Sequence, residues 1–358
     1  MFQKTLLILL TICLSITFIG NSQNSIPQLA KQLAAKNPTD SLKIRAIFDW
    51  ITENVAYDID SYRSHIGVKY VSNEDISQSG NWVFKVRKGV CSGYANLFYE
   101  LGKAMGVQVE VVEGLARTNS FFDSEAKKLE AHAWNAVKIN KRWYLIDATW
   151  ATGGIEESGV FRFQKNEKYY LMPPQKFLRE HYPQDPVWQL SDMPISLEAF
   201  KESRTQTPVF SKFSYTDTLS KYENQDSLTR RLASFRRMLL IDPQNTSANH
   251  GLGFAMATQA YSKMQAYSRL SAQLQTAKNP AQQQAMALAN KEKIFETLAS
   301  IESTLKQSLV YFERVQKSEN FQQNNENIRS SQRNLAQIAA ERQRLNQYYA
   351  LVEKYRKK

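Results

Sequence analysis

The strongest constraint on the fold is a change in sequence character near the middle of the chain. All six Trp residues fall before residue 200, in the first part of the chain, where helix-like and strand-like patterns alternate. The second half is rich in Gln, Ala, Lys, Arg and Asn, and its pattern is helical almost throughout. A chain of 358 residues has the length of two typical domains. We therefore predict an α+β domain followed by an all-α helical region.

The amino terminus has the pattern of a secretory signal peptide. Lys4 precedes the mostly apolar run TLLILLTICLSITFIG, and the polar stretch NSQNS follows it. The run is short for a membrane span, which needs about 20 residues. We expect residues 1–23 to be a signal peptide, no transmembrane anchor, and a protein exported to the periplasm or the extracellular space.

Charge is distributed unequally between the two halves. Residues 24–200 carry 21 Lys/Arg and 21 Asp/Glu, whereas residues 201–358 carry 24 Lys/Arg and 13 Asp/Glu, a net charge of +11. This excess is compatible with an anionic partner in the cell envelope. Basic side chains interleaved with Gln and Glu are also typical of a solvated helix face, which we favour. Nucleic acid is not expected as a partner of an exported protein.

The predicted mature chain retains one cysteine, Cys91, and so cannot form an internal disulfide. Cys91 lies in GVCSGYANLFYELGKAMG, at the start of a helix predicted over residues 92–105. A helix amino terminus stabilises a thiolate, and Gly89 and Gly93 would leave space for a substrate backbone. Free cysteine is also common as a small buried residue. This segment alone leaves both interpretations open.

A hairpin downstream offers a base and a residue to orient it. In AHAWNAVKINKRWYLIDATW, a two-residue turn at Asn140-Lys141 sets a register in which paired residue numbers sum to 281. His132 and Asp147 then lie on one sheet face as diagonal neighbours, within reach of each other. Because Asp is rare in strands, this placement favours a catalytic His–Asp pair over a structural one.

Other candidate sites are weaker. A metal site built on the lone cysteine lacks the spaced ligand pairs of zinc sites, and the sequence has no glycine-rich phosphate loop. No metal and no cofactor are therefore expected. His65 and His181 have no partner pattern, and we interpret His181 as structural and His250 as a surface or cap residue.

Three segments resemble the transglutaminase-like superfamily, and in particular its kyphoscoliosis peptidase-type branch: AIFDWITENVAYDID, GVCSGYANLF and AHAWNAVKINKRWYLIDATW. A fourth, YYLMPPQKFLREHYPQDPVWQL, extends the resemblance over residues 27–192. The resemblance implies a papain-like cysteine enzyme domain with an antiparallel sheet. It also implies roles for Cys91 as nucleophile, His132 as general base and acid, and Asp147 as the residue that orients the imidazole.

The resemblance further implies a protein or peptide substrate, attacked at a peptide or glutamine amide bond through a thioester. We expect hydrolysis to be favoured over cross-linking, because nothing in the sequence identifies an amine-acceptor site. The alternative is a non-catalytic binding or scaffold protein that keeps the transglutaminase-like fold. The intact Cys, His and Asp argue against this alternative.

The predicted domain order is a signal peptide at 1–23, a transglutaminase-like domain at 27–192, a linker at 193–222 and a helical domain at 223–358. Two apolar stripes with near-heptad spacing predict long helices in the last domain, packed antiparallel or as a coiled coil. The stripes are Ile294, Leu298, Ile301, Leu305, Leu309 and Phe312, and Ile328, Leu335, Ile338, Leu345, Tyr349 and Val352.

Overall fold

The computed structural model describes residues 25–65, 77–120, 123–156, 158–204, 213–315 and 321–356. The predicted signal peptide lies outside these residues. The chain divides into two compact units, Met1–His181 and Tyr182–Lys358, upstream of the predicted boundary after residue 192. Within the described ranges, no helix has both the length and the apolar character that a membrane span requires.

The first unit combines helices with an antiparallel sheet, which confirms the predicted α+β class. Its helices are α1 (Ile26–Lys36), α2 (Asp40–Asn54), α3 (Ile59–His65), α4 (Gly80–Val86), α5 (Cys91–Ala104), α6 (Ala148–Thr152) and α7 (Pro174–Phe177). Its strands are β1 (Ala56–Tyr57), β2 (Lys88–Gly89), β3 (Val109–Ser120), β4 (Asp123–Ile139), β5 (Arg142–Ile146), β6 (Gly153–Ile155) and β7 (Phe161–Phe163), and β8 (His181–Pro183) begins at its last residue. The main sheet has the order β5-β4-β3-β8, while β1 pairs with β2 and β6 with β7.

The predicted hairpin register is confirmed. Ile139 pairs with Arg142, and the remaining pairs of β4 and β5 follow the same register. Asn140 and Lys141 have φ angles of 49° and 65°, as a type I′ turn requires at both central positions. The second strand of the hairpin is shorter than expected, because β5 ends at Ile146 and the chain then enters α6.

Helix α2 is capped at its amino terminus and buried along one face. Thr39 is its N-cap, and the Thr39 hydroxyl accepts a hydrogen bond from the Leu42 N–H at 3.3 Å. The apolar face packs against α5. The residues of this face have no exposed surface: Ile44, Ile47, Phe48 and Ile51.

Helix α5 is the centre of the first unit. It packs against β3, β4, α1 and α2. Gly102 permits the close approach to the sheet, because a Cβ atom there would lie 2.4 Å from a methyl carbon of Val109 on β3. The helix that begins with Cys91 is thus held directly against the sheet that carries His132.

The second unit is helical, as predicted. It contains α8 (Leu197–Lys201), α9 (Tyr215–Glu223), α10 (Ser227–Ile241), α11 (Thr246–Leu274), α12 (Pro280–Ala289), α13 (Lys291–Arg314) and α14 (Phe321–Arg356). Helix α8 and most of α9 lie in the segment that the sequence predicts as a linker.

Helices α13 and α14 are antiparallel. Lys291, at the start of α13, donates to Glu353 near the end of α14 at 2.8 Å, whereas Asn324 at the start of α14 donates to the carbonyl of Phe312 at 2.8 Å. Four residues of the first predicted stripe and three of the second meet in one buried cluster, and of the two predicted arrangements the structure shows antiparallel packing. The cluster includes Ile294, Leu298, Ile301, Leu305, Ile338, Leu345 and Tyr349.

Candidate active site

Cys91 is the first residue of α5, one residue earlier than the predicted helix start. The N-cap is Val90, and no side chain caps this helix. The first N–H groups of a helix have no partner within the helix, and they favour negative charge. The thiol of Cys91 is therefore placed where a thiolate is stabilised.

Gln78 fixes the segment that leads to Cys91. Its Oε1 accepts a hydrogen bond from the Val90 N–H at 2.9 Å, and its carbonyl oxygen accepts one from Asn96 Nδ2 at 2.9 Å. A Cβ atom on Gly93 would lie 2.3 Å from Gln78 Oε1. The glycine that was expected to leave space for a substrate backbone makes room for this glutamine side chain.

His132 lies on β4 and contacts both other predicted site residues. Its Nε2 is 2.8 Å from Oδ2 of Asp147, and its imidazole hydrogen-bonds the thiol of Cys91. Because Nε2 is occupied by Asp147, Nδ1 is the ring nitrogen left for the thiol. Asn135 ties the same strand to α5, since its Nδ2 donates to the carbonyl of Ala95 at 3.0 Å.

Asp147 is the N-cap of helix α6. The sequence predicts this residue within a strand, and that prediction is wrong. Its Oδ1 accepts a hydrogen bond from the Trp150 N–H at 3.0 Å, and its own N–H donates to the carbonyl of Tyr169 at 3.1 Å. The carboxylate has no exposed surface. The structure thus brings Asp147 to His132 through a helix cap, not through diagonal strand pairing.

A second imidazole, which sequence reasoning missed, also contacts Asp147. His181 Nε2 is 2.9 Å from the same Oδ2 atom that contacts His132. His181 is completely buried, at the first position of a three-residue strand. No periodic pattern in REHYP marks this contact, and the two residues are 34 positions apart.

One ring nitrogen from each of His132 and His181 and one carboxylate oxygen of Asp147 lie within 4.8 Å of one another. Two histidines and one carboxylate also occur together as ligands in metal sites. The two contacts, at 2.8 and 2.9 Å, have the length of hydrogen bonds. Ligand atoms around a tetrahedral Zn²⁺ are about 3.4 Å apart, given bonds of about 2.1 Å. We therefore assign both contacts as hydrogen bonds to the carboxylate.

Burial and opposite charges together set the pKa values of the site. Burial alone would lower the pKa of His132, but the charge and hydrogen bond of Asp147, with a contribution from Cys91, raise it to about 10. Burial would raise the pKa of Asp147, yet hydrogen bonds and charge from His132 and His181 hold it below its ordinary value. Burial would likewise raise the pKa of Cys91, but His132 and the Ala133 N–H lower it. The site favours a thiolate–imidazolium pair.

Two phenols stand near the thiol. Burial, and then the charge of Cys91, raise the pKa of Tyr57. Burial, then Glu130, and then Cys91 raise the pKa of Tyr62 to about 12. The Tyr62 hydroxyl donates to Glu130 at 3.2 Å. Both phenols thus lie close enough to Cys91 for its charge to raise their pKa values, and Tyr62 also contacts Glu130.

Comparison with known proteins gives one family. Residues 27–148 match the model of the transglutaminase-like superfamily. Kyphoscoliosis peptidase of Mus musculus is 30% identical over 183 residues, which cover 51% of this chain and 26% of the relative. Hillarin of Drosophila melanogaster is 25% identical over 210 residues, covering 52% of this chain and 23% of the relative. A crystal structure of a TGase aligns with a TM-score of 0.28 at 19% identity, over 35% of this chain and 30% of that chain.

The matched segment contains the three residues of the site. It begins at the second residue of α1, ends at residue 148, and includes Cys91, His132 and Asp147. The chain spans about a quarter of the length of the curated relatives that it matches. Residues 27–148 therefore form a transglutaminase-like domain, and about half of the chain is similar to kyphoscoliosis peptidases at 30% identity.

Proposed function

We propose that this chain is a thiol enzyme that transfers the acyl group of a peptide or glutamine amide. One observation carries the proposal: the imidazole of His132 lies between the thiol of Cys91 and the carboxylate of Asp147, with Nε2 2.8 Å from Oδ2. A nucleophile, a base and a residue that orients the base occur in this order in enzymes that form covalent acyl intermediates.

In the first step, the Cys91 thiolate attacks the carbonyl carbon of the substrate, and the C=O electron pair moves onto oxygen. We propose the free N–H groups at the start of α5, that of Cys91 first, as the donors that stabilise this oxyanion. The His132 imidazolium then gives its proton to the amide nitrogen, and the carbon–nitrogen bond breaks. The products are an amine, or ammonia, and a thioester on Cys91.

In the second step, His132 accepts a proton from the molecule that attacks the thioester. The thiolate leaves, and the acid product is released when that molecule is water. We propose hydrolysis as the main outcome, since Cys91 is partly exposed and water reaches it. A primary amine in place of water would give transamidation by the same atoms.

Mass spectrometry of a peptide library, incubated with the protein and a primary amine, tests this proposal. We expect cleaved or deamidated peptides with the wild-type chain, and at least about 10³-fold less product with Cys91→Ala. Products that carry the amine would contradict hydrolysis while keeping the thioester. Equal product from Cys91→Ala would contradict the enzyme, and an unreactive wild-type chain would support the scaffold alternative.

We also propose that the protein is exported, on the support of the basic residue and apolar run in residues 1–23. Expression of the whole chain in a bacterial host should give a product shortened near residue 23 in the periplasm or the medium. Intact-mass measurement of each cell fraction checks this result. A product in the cytoplasm that still begins at Met1 would contradict export.

A further inference from the structure

The carboxylate of Asp147 accepts more hydrogen bonds than a Cys–His–Asp triad requires. Oδ1 accepts from the Trp150 N–H at 3.0 Å, and Oδ2 accepts from both His132 at 2.8 Å and His181 at 2.9 Å. Both imidazoles are on the same oxygen. His181 thus contacts Asp147, which orients His132, although His181 is not a member of the proposed triad.

The protonation of His181 follows from its partner. An ionised carboxylate only accepts hydrogen bonds, so the Nε2 of His181 must carry the proton. Nδ1 is then an unprotonated nitrogen, and it is buried without a hydrogen-bond partner in the described part of the chain. Burial lowers the pKa of His181 in spite of the charge of Asp147. The ring is therefore a neutral donor.

Aromatic side chains fix the direction in which His181 donates. Phe177 stacks on the imidazole, with ring centroids 4.0 Å apart and an angle of 23°. The ring centroid of Trp150 lies 4.4 Å from that of His181, and the centroid of Trp134 lies 5.2 Å away with an angle of 74° between the ring planes. A ring held on these faces cannot turn its Nε2–H away from Asp147 without displacing its neighbours.

We propose that His181 is a positioning residue for the thiol chemistry of this domain, an inference that rests on the proposed function. Its Nε2–H holds the Asp147 carboxylate in the orientation that keeps Oδ2 on His132. Because the donor is neutral, it restrains the carboxylate without cancelling the negative charge that stabilises the His132 imidazolium. A Lys or Arg at this place would restrain and neutralise Asp147 together.

Two substitutions separate this role from simple packing. In His181→Gln, the side-chain amide nitrogen occupies nearly the place of Nε2, so the donor is kept while the aromatic ring is lost. In His181→Phe, the ring and its stacking on Phe177 are kept while the donor is lost. Packing alone predicts that the Phe variant is the better of the two, whereas the positioning role predicts that the Gln variant is.

The readout is alkylation of Cys91 by iodoacetamide, followed in the whole chain by peptide mass spectrometry as a function of pH. We expect His181→Gln to react within about threefold of the wild type, and His181→Phe to react up to about tenfold more slowly at pH values below the wild-type midpoint. The midpoint of the pH profile of the Phe variant should move upward by about one unit, because a poorly oriented Asp147 stabilises the His132 imidazolium less.

A Phe variant that reacts like the wild type, or a Gln variant as slow as the Phe variant, would overturn the inference. If His181→Phe does not fold, His181→Asn replaces it, since its shorter amide cannot reach Asp147 while its polarity matches Gln. A wild-type thiol that reacts no faster than free cysteine would instead overturn the proposed function. The two failures are thus distinct.

Discussion

Replacement of His132 by Ala should slow the alkylation of Cys91 by iodoacetamide at least about tenfold near pH 6.5. The hydrogen bond and charge of His132 hold the pKa of the Cys91 thiol below its ordinary value. Without the imidazole, burial dominates and raises the pKa, and each pKa unit leaves about tenfold less thiolate at a pH below it. Peptide mass spectrometry at timed intervals measures the rate at Cys91 alone.

The rate of Cys91 alkylation as a function of pH shows in which direction His132 shifts the pKa of the thiol. The wild-type rate should rise at the lowered pKa of the thiol and stay level through neutral pH, because His132, with a pKa of about 10, remains protonated there. In His132→Ala the rise should move to higher pH. His250→Ala is the matched control, since His250 belongs to the second unit and contacts Asn327 at 3.2 Å. Equal profiles for the wild type and His132→Ala would contradict a thiolate–imidazolium pair.

Replacement of Asp147 by Asn should reduce acyl transfer by about 10³- to 10⁴-fold, as loss of the orienting carboxylate does in related catalytic arrangements. Three donors face this side chain, from His132, His181 and the Trp150 backbone. The amide has one oxygen for them, and its NH₂ group would meet a donor, so His132 must change tautomer or turn away. The rate of product formation with the peptide library, and the midpoint of the Cys91 alkylation profile, measure the loss.

Asp185→Asn is a matched control for this substitution. Asp185 is also buried and also caps a helical turn, where its Oδ1 accepts from the Val187 N–H at 3.2 Å, and it is paired with Arg237 at 2.6 Å. Its replacement should lower the thermal midpoint of unfolding without moving the alkylation midpoint of Cys91. If both Asn variants alter only stability, Asp147 does not act through His132.

Local patterns were sufficient to predict the elements that carry the site. The turn at Asn140-Lys141 determined the hairpin register, because a two-residue loop leaves one way to pair the strands. The start of α5 was placed within one residue of Cys91 by its glycines and its run of helix formers. Both are short-range consequences of backbone geometry, which a single sequence records well.

The long-range contacts of Asp147 and His181 could not be predicted from local sequence patterns. The strand pattern of KRWYLIDATW continues past Ile146, yet Asp147 competes as a helix cap, and the Tyr169 carbonyl fixes its backbone from 22 positions later. His181 lies in a three-residue strand, too short for any periodicity, and only the folded chain shows that it meets Asp147. Both contacts depend on residues far apart in sequence, which local propensity does not encode.

The three donors and the backbone acceptor around Asp147 determine how far a truncated form of this domain must extend to keep the site intact. A polypeptide that stops with the family match at residue 148 would keep Cys91, His132 and Asp147. It would lose the Trp150 cap, the Tyr169 carbonyl and the His181 imidazole, and with them every partner of Asp147 except His132. The smallest unit that retains this carboxylate's surroundings therefore extends at least to residue 181, well beyond the segment that sequence similarity outlines.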